Sequence, residues 1–532
     1  MTKSRDLGDL AQTVATSLPT ALGTAGQTLV VNSGGTALEF ADAATGGGGG
    51  SLEATASGAL ADGDKVVINT DGTVSVVSSS QAQEGLGSAT SFTSNYTYYI
   101  DGVYDANAQK VVIVYRNGSV SNKGYAVVGT VSGTSISFGT PVAFEAGNTL
   151  AISAAYDAAS QKIVIAYRDA GNSSYGTAIV GTVSGTSISF GTAVVFESYT
   201  IDHCSVVYDE NAQKVVIVYQ SDTNNFQTAA IVGTVSGTSI SFGTAVVVHS
   251  GAPQSVATAY DANAQKIVFA IKDASNSNYG YGNVLTVSGT SVSAGTGAVF
   301  NSAATDQVSA TYDSNAQKVV IAYKNQSNYG AAVVASISGT TLSFGTPVVF
   351  ESATINWPEI VYDVAAQKVT IAYTDNGNSA YGTYISGTVS GTSISFGTAG
   401  VFENGGGSWL TYLVGITYPI YDANAGKIVI AHTDSDGTGS AERAGLGIVL
   451  QNAGVITTNL TAENYIGISD AAYSDTATAT IQIAGSVDDA QSGLTAGQAY
   501  YVQIDGTLST TPDSPSVFAG TAVSSTKLIV KG

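Results

Sequence analysis

One short pattern, a Tyr-Asp pair followed by a turn and a lysine, recurs seven times and constrains the fold more than any other feature. It begins at Tyr104, Tyr156, Tyr208, Tyr260, Tyr312, Tyr362 and Tyr421, at spacings of 52, 52, 52, 52, 50 and 59 residues. A period of this size is typical of propellers, solenoids and arrays. The content of each repeat therefore has to distinguish among these architectures.

Each repeat reads as four short strands separated by turn residues. In the second repeat they are residues 151–156, 162–168, 176–184 and 186–196. The second strand is nearly all apolar and β-branched, which suits a strand covered on both faces by neighbouring sheets. The sequence therefore predicts an all-β protein whose main part is a seven-bladed β-propeller of four-stranded blades.

Ring closure can also be tested in the sequence. Residues 86–105 align without gaps on residues 138–157, so they contain a fourth strand without the three strands that should precede it. Those three strands occur at residues 413–451, which no fourth strand follows. We therefore predict a propeller over residues 82–453, whose last blade is closed by the strand at residues 84–92. Closure removes exposed sheet edges.

Two segments outside the propeller share short strands and Asp-Gly turns, and we interpret them as halves of one discontinuous β base domain. They are residues 52–80 and residues 455–532. A domain is readily inserted where the host chain breaks at a surface loop whose ends are close. A glycine-rich linker at residues 46–51 precedes the first half.

Residues 1–45 are predicted to be an attachment and oligomerisation segment. Leu7, Leu10, Val14 and Leu18 recur at helical spacing, and residues 24–40 read as a β-hairpin. A segment this short cannot bury a core alone. We therefore expect it to assemble the chain, as a homotrimer, or to dock on a partner.

Charge and composition exclude several kinds of partner. The formal net charge is −21, so phosphate backbones would be repelled and we expect no nucleic-acid partner. Cys204 is the only cysteine, which rules out a disulfide framework. The sequence shows neither a signal-peptide pattern nor a long uncharged apolar run, so we expect no membrane insertion.

Loops that differ between repeats locate a candidate binding surface. The Tyr-Asp turn and the Ser-Gly-Thr-Ser turn barely change, whereas the two loop classes predicted on the opposite rim vary freely. We predict that this variable rim binds a ligand, with aromatic anchors and polar contacts at Trp357, Trp409, His203, Arg116, Arg168, Tyr199 and Tyr175. The alternative is that both tryptophans only fill the packing of the propeller.

Catalytic and metal sites have weak support in the sequence. Glu145, Glu197, Glu351 and Glu403 share one repeat position, which favours a scaffold role over an acid and base pair. Asp434 and Asp436 lack the remaining ligands of a calcium loop, and the three histidines have no ligand-like spacing. We therefore expect no enzyme activity, metal or cofactor, and rank a propeller glycosidase or sialidase below a binding protein.

The two ends of the chain resemble virion proteins. Residues 24–43 resemble the N-terminal segments of phage tail-fibre proteins, and residues 492–532 look like domains near the ends of marine phage fibre proteins. The resemblance implies a tail fibre or receptor-binding protein that contacts other virion tail proteins. It would recognise a host cell-surface glycan or outer-membrane protein.

Such a protein would be made in the host cytoplasm without a signal peptide and would act outside cells on the virion tail. The alternative is a lectin-like adhesin that does not belong to a phage.

Overall fold

A computed structural model of the chain describes residues 27–31, 38–42, 50–81, 84–222, 226–404, 417–434, 443–454, 456–513 and 515–531. These residues form an all-β protein of antiparallel sheets, as predicted, and include one helical turn, the 3-10 helix Asn376–Asn378. The chain divides into two compact units. One comprises residues 81–455, and the other comprises residues 1–80 and 456–532.

Residues 81–455 contain seven repeat units, numbered here 1 to 7 in the order of their Tyr-Asp turns. The first strand of each unit ends at the aspartate of that turn: Thr97–Asp105, Val142–Asp157, Val194–Asp209, Pro253–Asp261, Ala298–Asp313, Ile355–Asp363 and Thr417–Asp422. The second strands begin at the lysine: Lys110–Asn117, Lys162–Asp169, Lys214–Ser221, Lys266–Asp273, Lys318–Asn325, Lys368–Asp375 and Lys427–Thr433. The third strands are Lys123–Ser132, Tyr175–Ser184, Gln227–Ser236, Tyr279–Ser288, Gly330–Ser338, Tyr381–Ser390 and Gly445–Gln451.

The fourth strand of each unit is broken into two pieces that both pair with the third strand. The first pieces are Ser135–Phe138, Ser187–Phe190, Ser239–Phe242, Ser291–Ala294, Thr341–Phe344, Ser393–Phe396 and Gly85–Leu86. The second pieces with their own bounds are Val246–His249, Val348–Glu351, Gly400–Glu403 and Thr90–Thr93. In units 1, 2 and 4 the second piece continues into the first strand of the next unit, which gives the three 16-residue strands.

A glycine follows the first piece of each broken strand, and in six of the seven units the next unit lies against it. A Cβ atom at Gly191 would overlap the carbonyl oxygen of Thr238 in the turn between the third and fourth strands of unit 3. Gly87, in the closing strand of unit 7, meets Thr134 of unit 1 in the same way. Among the described residues Gly397 has no such neighbour, because unit 7 lacks that turn, and its nearest contact would be the Ser386 carbonyl oxygen at 3.7 Å.

The first strands contact one another in chain order, and Thr417–Asp422 of unit 7 also contacts Thr97–Asp105 of unit 1. Seven hydrophobic clusters lie between successive units. The cluster between units 7 and 1 joins Val429 and Ala431 to Val111 and Ile113. The third strand of unit 7 pairs with the strands Gly85–Leu86 and Thr90–Thr93, which come from the beginning of residues 81–455.

The compact unit formed by residues 1–80 and 456–532 contains two five-stranded sheets with the same strand order. The first sheet runs Ser51–Thr55, Thr478–Gln482, Tyr465–Ser469, Lys65–Ile68, Val74–Val76, and the second runs Val487–Asp488, Leu528–Val530, Val517–Ala522, Ala499–Val502, Leu508–Ser509. Short strands at Ser79–Gln81 and Ile456–Thr458 lie where the chain leaves and re-enters this unit. The two sheets share one hydrophobic cluster.

Details of the two sheets repeat residue by residue. Gly467 and Gly520 sit at matching register shifts, with φ of 155° and 159°. In matching hairpin turns, Asp71 accepts hydrogen bonds from the backbone N–H and hydroxyl of Thr73, and Asp505 accepts the same pair from Thr507. These two sheets are therefore two copies of one module. Residues 81–455 interrupt the first module and not the second.

Residues 1–45 are described only in part. Gln27–Val31 pairs antiparallel with Leu38–Asp42, with Val31 opposite Leu38. The predicted helical stripe at residues 7–18 lies outside the described residues. No helix in the described part of the chain is long and apolar enough to span a bilayer.

Candidate functional site

The first strands of units 1 to 6 share a register shift near their N-terminal ends, where each pairs irregularly with the second strand. The residues five positions before the Tyr of the Tyr-Asp turn are Tyr99, Ala151, His203, Ser255, Gln307 and Trp357, which we call the bulge ring. Four of these residues, Tyr99, Ala151, Gln307 and Trp357, have φ between 45° and 51°. Non-glycine residues seldom adopt such angles, and those that do cluster at functional sites.

The bulge ring lines a cavity of about 390 Å³ that the first strands of all seven units bound. A second set of residues, two positions further along each strand, lines the same cavity. This polar ring consists of Asp101, Ser153, Ser205, Ala257, Ser309, Glu359 and Tyr418. The cavity therefore presents hydroxyl, carboxyl, amide and aromatic groups held on strands.

Hydrogen bonds from these side chains join the first strands of units 2 and 3, of units 4 and 5, and of units 5 and 6. Ser153 Oγ accepts from the Val206 N–H at 3.1 Å, and Gln307 Oε1 accepts from the Trp357 N–H at 2.8 Å. Further bonds of this kind join Ser255 to Val308 and Ser309 to Ile360. The backbone around the cavity is thus fixed before any ligand arrives, which lowers the entropy cost of binding.

Two carboxyl groups of the polar ring have unusual protonation behaviour. Burial raises the pKa of Asp101 to about 7, although hydrogen bonds from the Gly102 N–H, Ser153 and Tyr418 favour the charged form. Burial also raises the pKa of Glu359 to about 8, and the Ser309 hydroxyl donates to its Oε2 at 2.7 Å. Near neutral pH these carboxyls can therefore both donate and accept hydrogen bonds.

Basic residues at the ends of the second strands surround the bulge ring. Arg168 forms an ion pair with Asp202, Lys272 forms one with Asp306 at 3.3 Å, and Lys324 Nζ donates to Asn356 Oδ1 at 2.9 Å. In each case the basic residue meets the residue that precedes the bulge position in the next unit. Asp202 and Asp306 also line the cavity, so its outer charges are paired.

Arg116 occupies the same repeat position as Arg168 but has different neighbours. Its guanidinium carbon lies 5.5 Å from the ring centre of Tyr98 and 5.8 Å from that of Tyr99, distances at which cation–π attraction operates. Burial lowers the pKa of its guanidinium. Arg116 therefore supports Tyr99, a member of the bulge ring.

The structure brings some of the predicted site residues together. His203 and Trp357 line the cavity, and Arg168 and Arg116 contact cavity-lining residues. Burial lowers the pKa of His203, which favours a neutral ring at physiological pH. The Trp357 Nε1 atom is buried and has no hydrogen-bond partner among the described residues.

The remaining predicted residues do not join this group. Tyr199 is 54% exposed and Tyr175 is half-buried, and neither is among the residues that line the cavity. Trp409 lies outside the described residues.

A second cleft, of about 460 Å³, lies between units 3 and 4. Its lining residues are Asp202, His203, Gln220, Phe226, Ala252, Gln254 and Lys272. Three of them, Asp202, His203 and Gln254, also line the first cavity. The two spaces are therefore contiguous.

Sequence reasoning did not identify Asp101, Glu359 or Tyr418. A signal for them exists in the repeat: the third position before each Tyr-Asp turn is polar in six of the seven units, between apolar or small neighbours. The residues at this position in the seven units form the polar ring. Attention to loops alone overlooks it, because these residues lie within strands.

The shared glutamate position has a structural use in all four units that carry it, and in unit 6 Glu403 Oε2 lies 3.4 Å from His432 Nε2 of unit 7. Tyr167 donates to Glu145 at 2.9 Å, Tyr219 to Glu197 at 3.1 Å and Tyr373 to Glu351 at 3.5 Å, each across a junction between units. Among the described residues, no group of three or more His, Cys, Asp and Glu side chains could hold a metal ion.

No protein-family model matches the sequence, and neither does the sequence of any curated protein. Among solved structures, the chain is similar to the lectin BP39L from Burkholderia pseudomallei, at 10% identity and a TM-score of 0.49, over 68% of this chain and 98% of that one. A protein of unknown function from Dyadobacter fermentans matches at 8% identity and a TM-score of 0.41, over 70% and 99% of the two chains. AofleA from Arthrobotrys oligospora matches at 10% identity and a TM-score of 0.38, over 63% and 94%.

Proposed function

We propose that residues 81–455 form a seven-bladed β-propeller that acts as a lectin-like adhesin, binding a cell-surface glycan in the cavity at its centre. The cyclic contacts of the first strands, the seven clusters between units and the fit of Gly87 against Thr134 support the propeller. A propeller of four-stranded blades closes its own sheet edges.

The chemical groups that line the cavity indicate that its ligand is a sugar. Sugars present hydroxyl groups, which need fixed donors and acceptors, and apolar C–H faces, which stack on aromatic rings. The cavity offers both, through the polar ring and through Tyr99 and Trp357. Its volume of about 390 Å³ lies within the usual range for small-molecule sites.

A glycan fits the cavity better than an outer-membrane protein does. A stable protein interface buries roughly 800 Å² on each partner, whereas the polar groups here converge inside a concave space of about 390 Å³. The binding role does not depend on what carries the propeller. Attachment to a phage tail, as a homotrimer, remains a prediction from the terminal segments, and a non-enzymatic role is part of this proposal.

Trp357→Ala tests the binding site. Alanine suits this backbone, because Ala151 occupies the same position in unit 2 with a φ of 45°. We expect the variant to keep the melting temperature of the wild type and to lose about 2 kcal/mol of binding free energy, roughly a thirtyfold loss of affinity on a glycan array.

Val364→Ala is the control, since Val364 is 53% exposed in the Tyr-Asp turn of unit 6. It should bind like the wild type. Absence of any glycan binding by the full chain, or full binding by Trp357→Ala, would show that the proposed function is wrong.

A further inference from the structure

Phe226 occupies a backbone position that other units fill differently. In all seven units a residue just before the third strand has a positive φ. It lies one position before the strand in units 1 to 4 and 6 and two positions before it in units 5 and 7. These residues are Asn122, Ser174, Phe226, Asn278, Asn328, Ala380 and Arg443. The φ of Phe226 is 60°. Asparagine tolerates this left-handed region well, whereas a bulky aromatic residue is disfavoured there.

The exposure of Phe226 adds a second cost. Its side chain is 49% exposed, and none of the hydrophobic clusters of the described residues includes it. Neither backbone preference nor core packing therefore explains a phenylalanine here. The disfavoured backbone conformation of Phe226 therefore motivates a hypothesis of function.

The surroundings of Phe226 fit a role in binding. It lines the cleft between units 3 and 4, together with the amides of Gln220 and Gln254 and the charged groups of Asp202 and Lys272. An exposed aromatic ring can stack on a sugar ring, and hydrogen-bond donors and acceptors beside it can bind the sugar hydroxyl groups.

The cleft is also continuous with the central cavity. Asp202, His203 and Gln254 line both spaces. A ligand seated against Trp357 can therefore extend past His203 toward Phe226 without leaving protein contact.

We propose that Phe226 is the stacking platform of a second sugar subsite, so that the site takes an oligosaccharide of at least two residues rather than a monosaccharide. This inference rests on the proposed glycan-binding function. It assigns the first sugar to the central cavity and the next to the cleft between units 3 and 4.

Phe226→Asn in the full chain is the decisive variant, because asparagine is the residue that units 1, 4 and 5 carry at this position. The probe is a printed array that holds each common hexose, deoxyhexose and amino sugar as the monosaccharide and as linear di- and trisaccharides. Calorimetric titration of the best mono- and oligosaccharide then gives affinities.

We expect the wild type to bind oligosaccharides at least tenfold more tightly than the matching monosaccharide. Phe226→Asn should lose that advantage, leave monosaccharide affinity unchanged, and keep or raise the melting temperature. Phe226→Trp should retain oligosaccharide binding, and Asn278→Ser, a change at the equivalent position of unit 4, should alter nothing.

The outcomes separate the two proposals. Equal affinity of the wild type for mono- and oligosaccharides, or undiminished oligosaccharide binding by Phe226→Asn, would overturn the second subsite while leaving the central glycan site intact. Absence of binding to every printed glycan would overturn both.

Discussion

The hydroxyl oxygens of Thr97 and Thr433 lie 2.9 Å apart, although 336 residues separate them in the sequence. Both side chains are buried, and they join the first strand of unit 1 to the second strand of unit 7. At the junction of units 6 and 7, Tyr384 donates to Glu84 at 2.7 Å across 300 residues. Because a long loop must close before such contacts form, these polar groups and the apolar cluster between units 7 and 1 depend on one another.

Substitution of Gly87 tests this closure. In Gly87→Ala, the new Cβ atom would overlap the Thr134 carbonyl oxygen of unit 1, and we expect a loss of about 1–3 kcal/mol in unfolding free energy. Gly397→Ala is the matched control, since nothing closer than 3.7 Å faces that position, and it should change stability by less than about 0.5 kcal/mol. Urea unfolding measures both, and equal stabilities would mean that the closing strand is not seated against unit 1.

The hydrogen bond between Tyr167 and Glu145 should stabilise the junction of units 1 and 2. Tyr167→Phe leaves Glu145 Oε2 without its donor, while Oε1 keeps the Gly147 N–H. Because bonds to charged groups contribute about 1.5–3 kcal/mol, we expect a loss of that order on denaturant unfolding. Tyr323→Phe is the control: the equivalent partner position holds Asn301, whose amide donates to Ala303 and Thr305, so a much smaller change is expected.

The raised pKa of Glu359 predicts how stability varies with pH. Its carboxyl has an ordinary pKa of 4.5 and a folded-state pKa of about 8, so the folded state binds the proton more tightly than the unfolded state. Its contribution to stability is fully present below about pH 4.5 and is lost as pH rises toward 8. Thermal unfolding of Glu359→Gln across this range should therefore fall less steeply with pH than that of the wild type.

Glu210→Gln serves as the control for this experiment, because Glu210 is exposed in the Tyr-Asp turn of unit 3. Its pH profile should follow the wild type. A Glu359→Gln profile as steep as that of the wild type would show that this carboxyl is not buried as a neutral group.

The strands could be predicted because the same pattern of apolar and turn residues occurs seven times in the sequence. The apolar run at Val111 to Val114 is buried on both faces, as the pattern predicts, and the Tyr-Asp turns end the first strands. The break within each fourth strand was not predicted. In six of the seven units a glycine at the break meets the next unit, such as Gly191 with Thr238, and the spacing of residues within one unit carries no information about that contact.

The candidate site was harder to predict for a similar reason. Trp357 and His203 stood out as rare residues in variable segments, whereas Asp101 and Glu359 were hidden within strands. Their role follows from the register shift that turns successive first-strand positions toward one space, and a shift of that kind is a tertiary feature. The strain at Phe226 likewise became visible only through its φ.

The two five-stranded modules that lie outside residues 81–455 should fold without residues 80–457. The chain leaves and re-enters this unit at adjacent points, since the Asn459 N–H donates to the Ser78 carbonyl oxygen at 3.2 Å and the Ser78 N–H donates to Asn459 Oδ1 at 2.9 Å. A two-residue Asn-Gly turn can join Ser79 to Thr458, because such turns connect adjacent antiparallel strands. The shared cluster that includes Val67, Val77, Leu460 and Tyr500 remains complete.

After removal of residues 1–49, we therefore expect the shortened chain to be a soluble monomer that unfolds in one cooperative transition. Circular dichroism measures the transition, and the dispersion of the amide NMR signals reports the folded state. Gly467→Ala in the same chain is the control that should abolish folding, because its φ of 155° disfavours a side chain and its Cβ atom would overlap the Gln482 carbonyl oxygen. A shortened chain without a cooperative transition would mean that the first module needs the inserted repeats to hold its strands together. Cooperative folding would establish residues 81–455 as an insertion that the host fold tolerates but does not require.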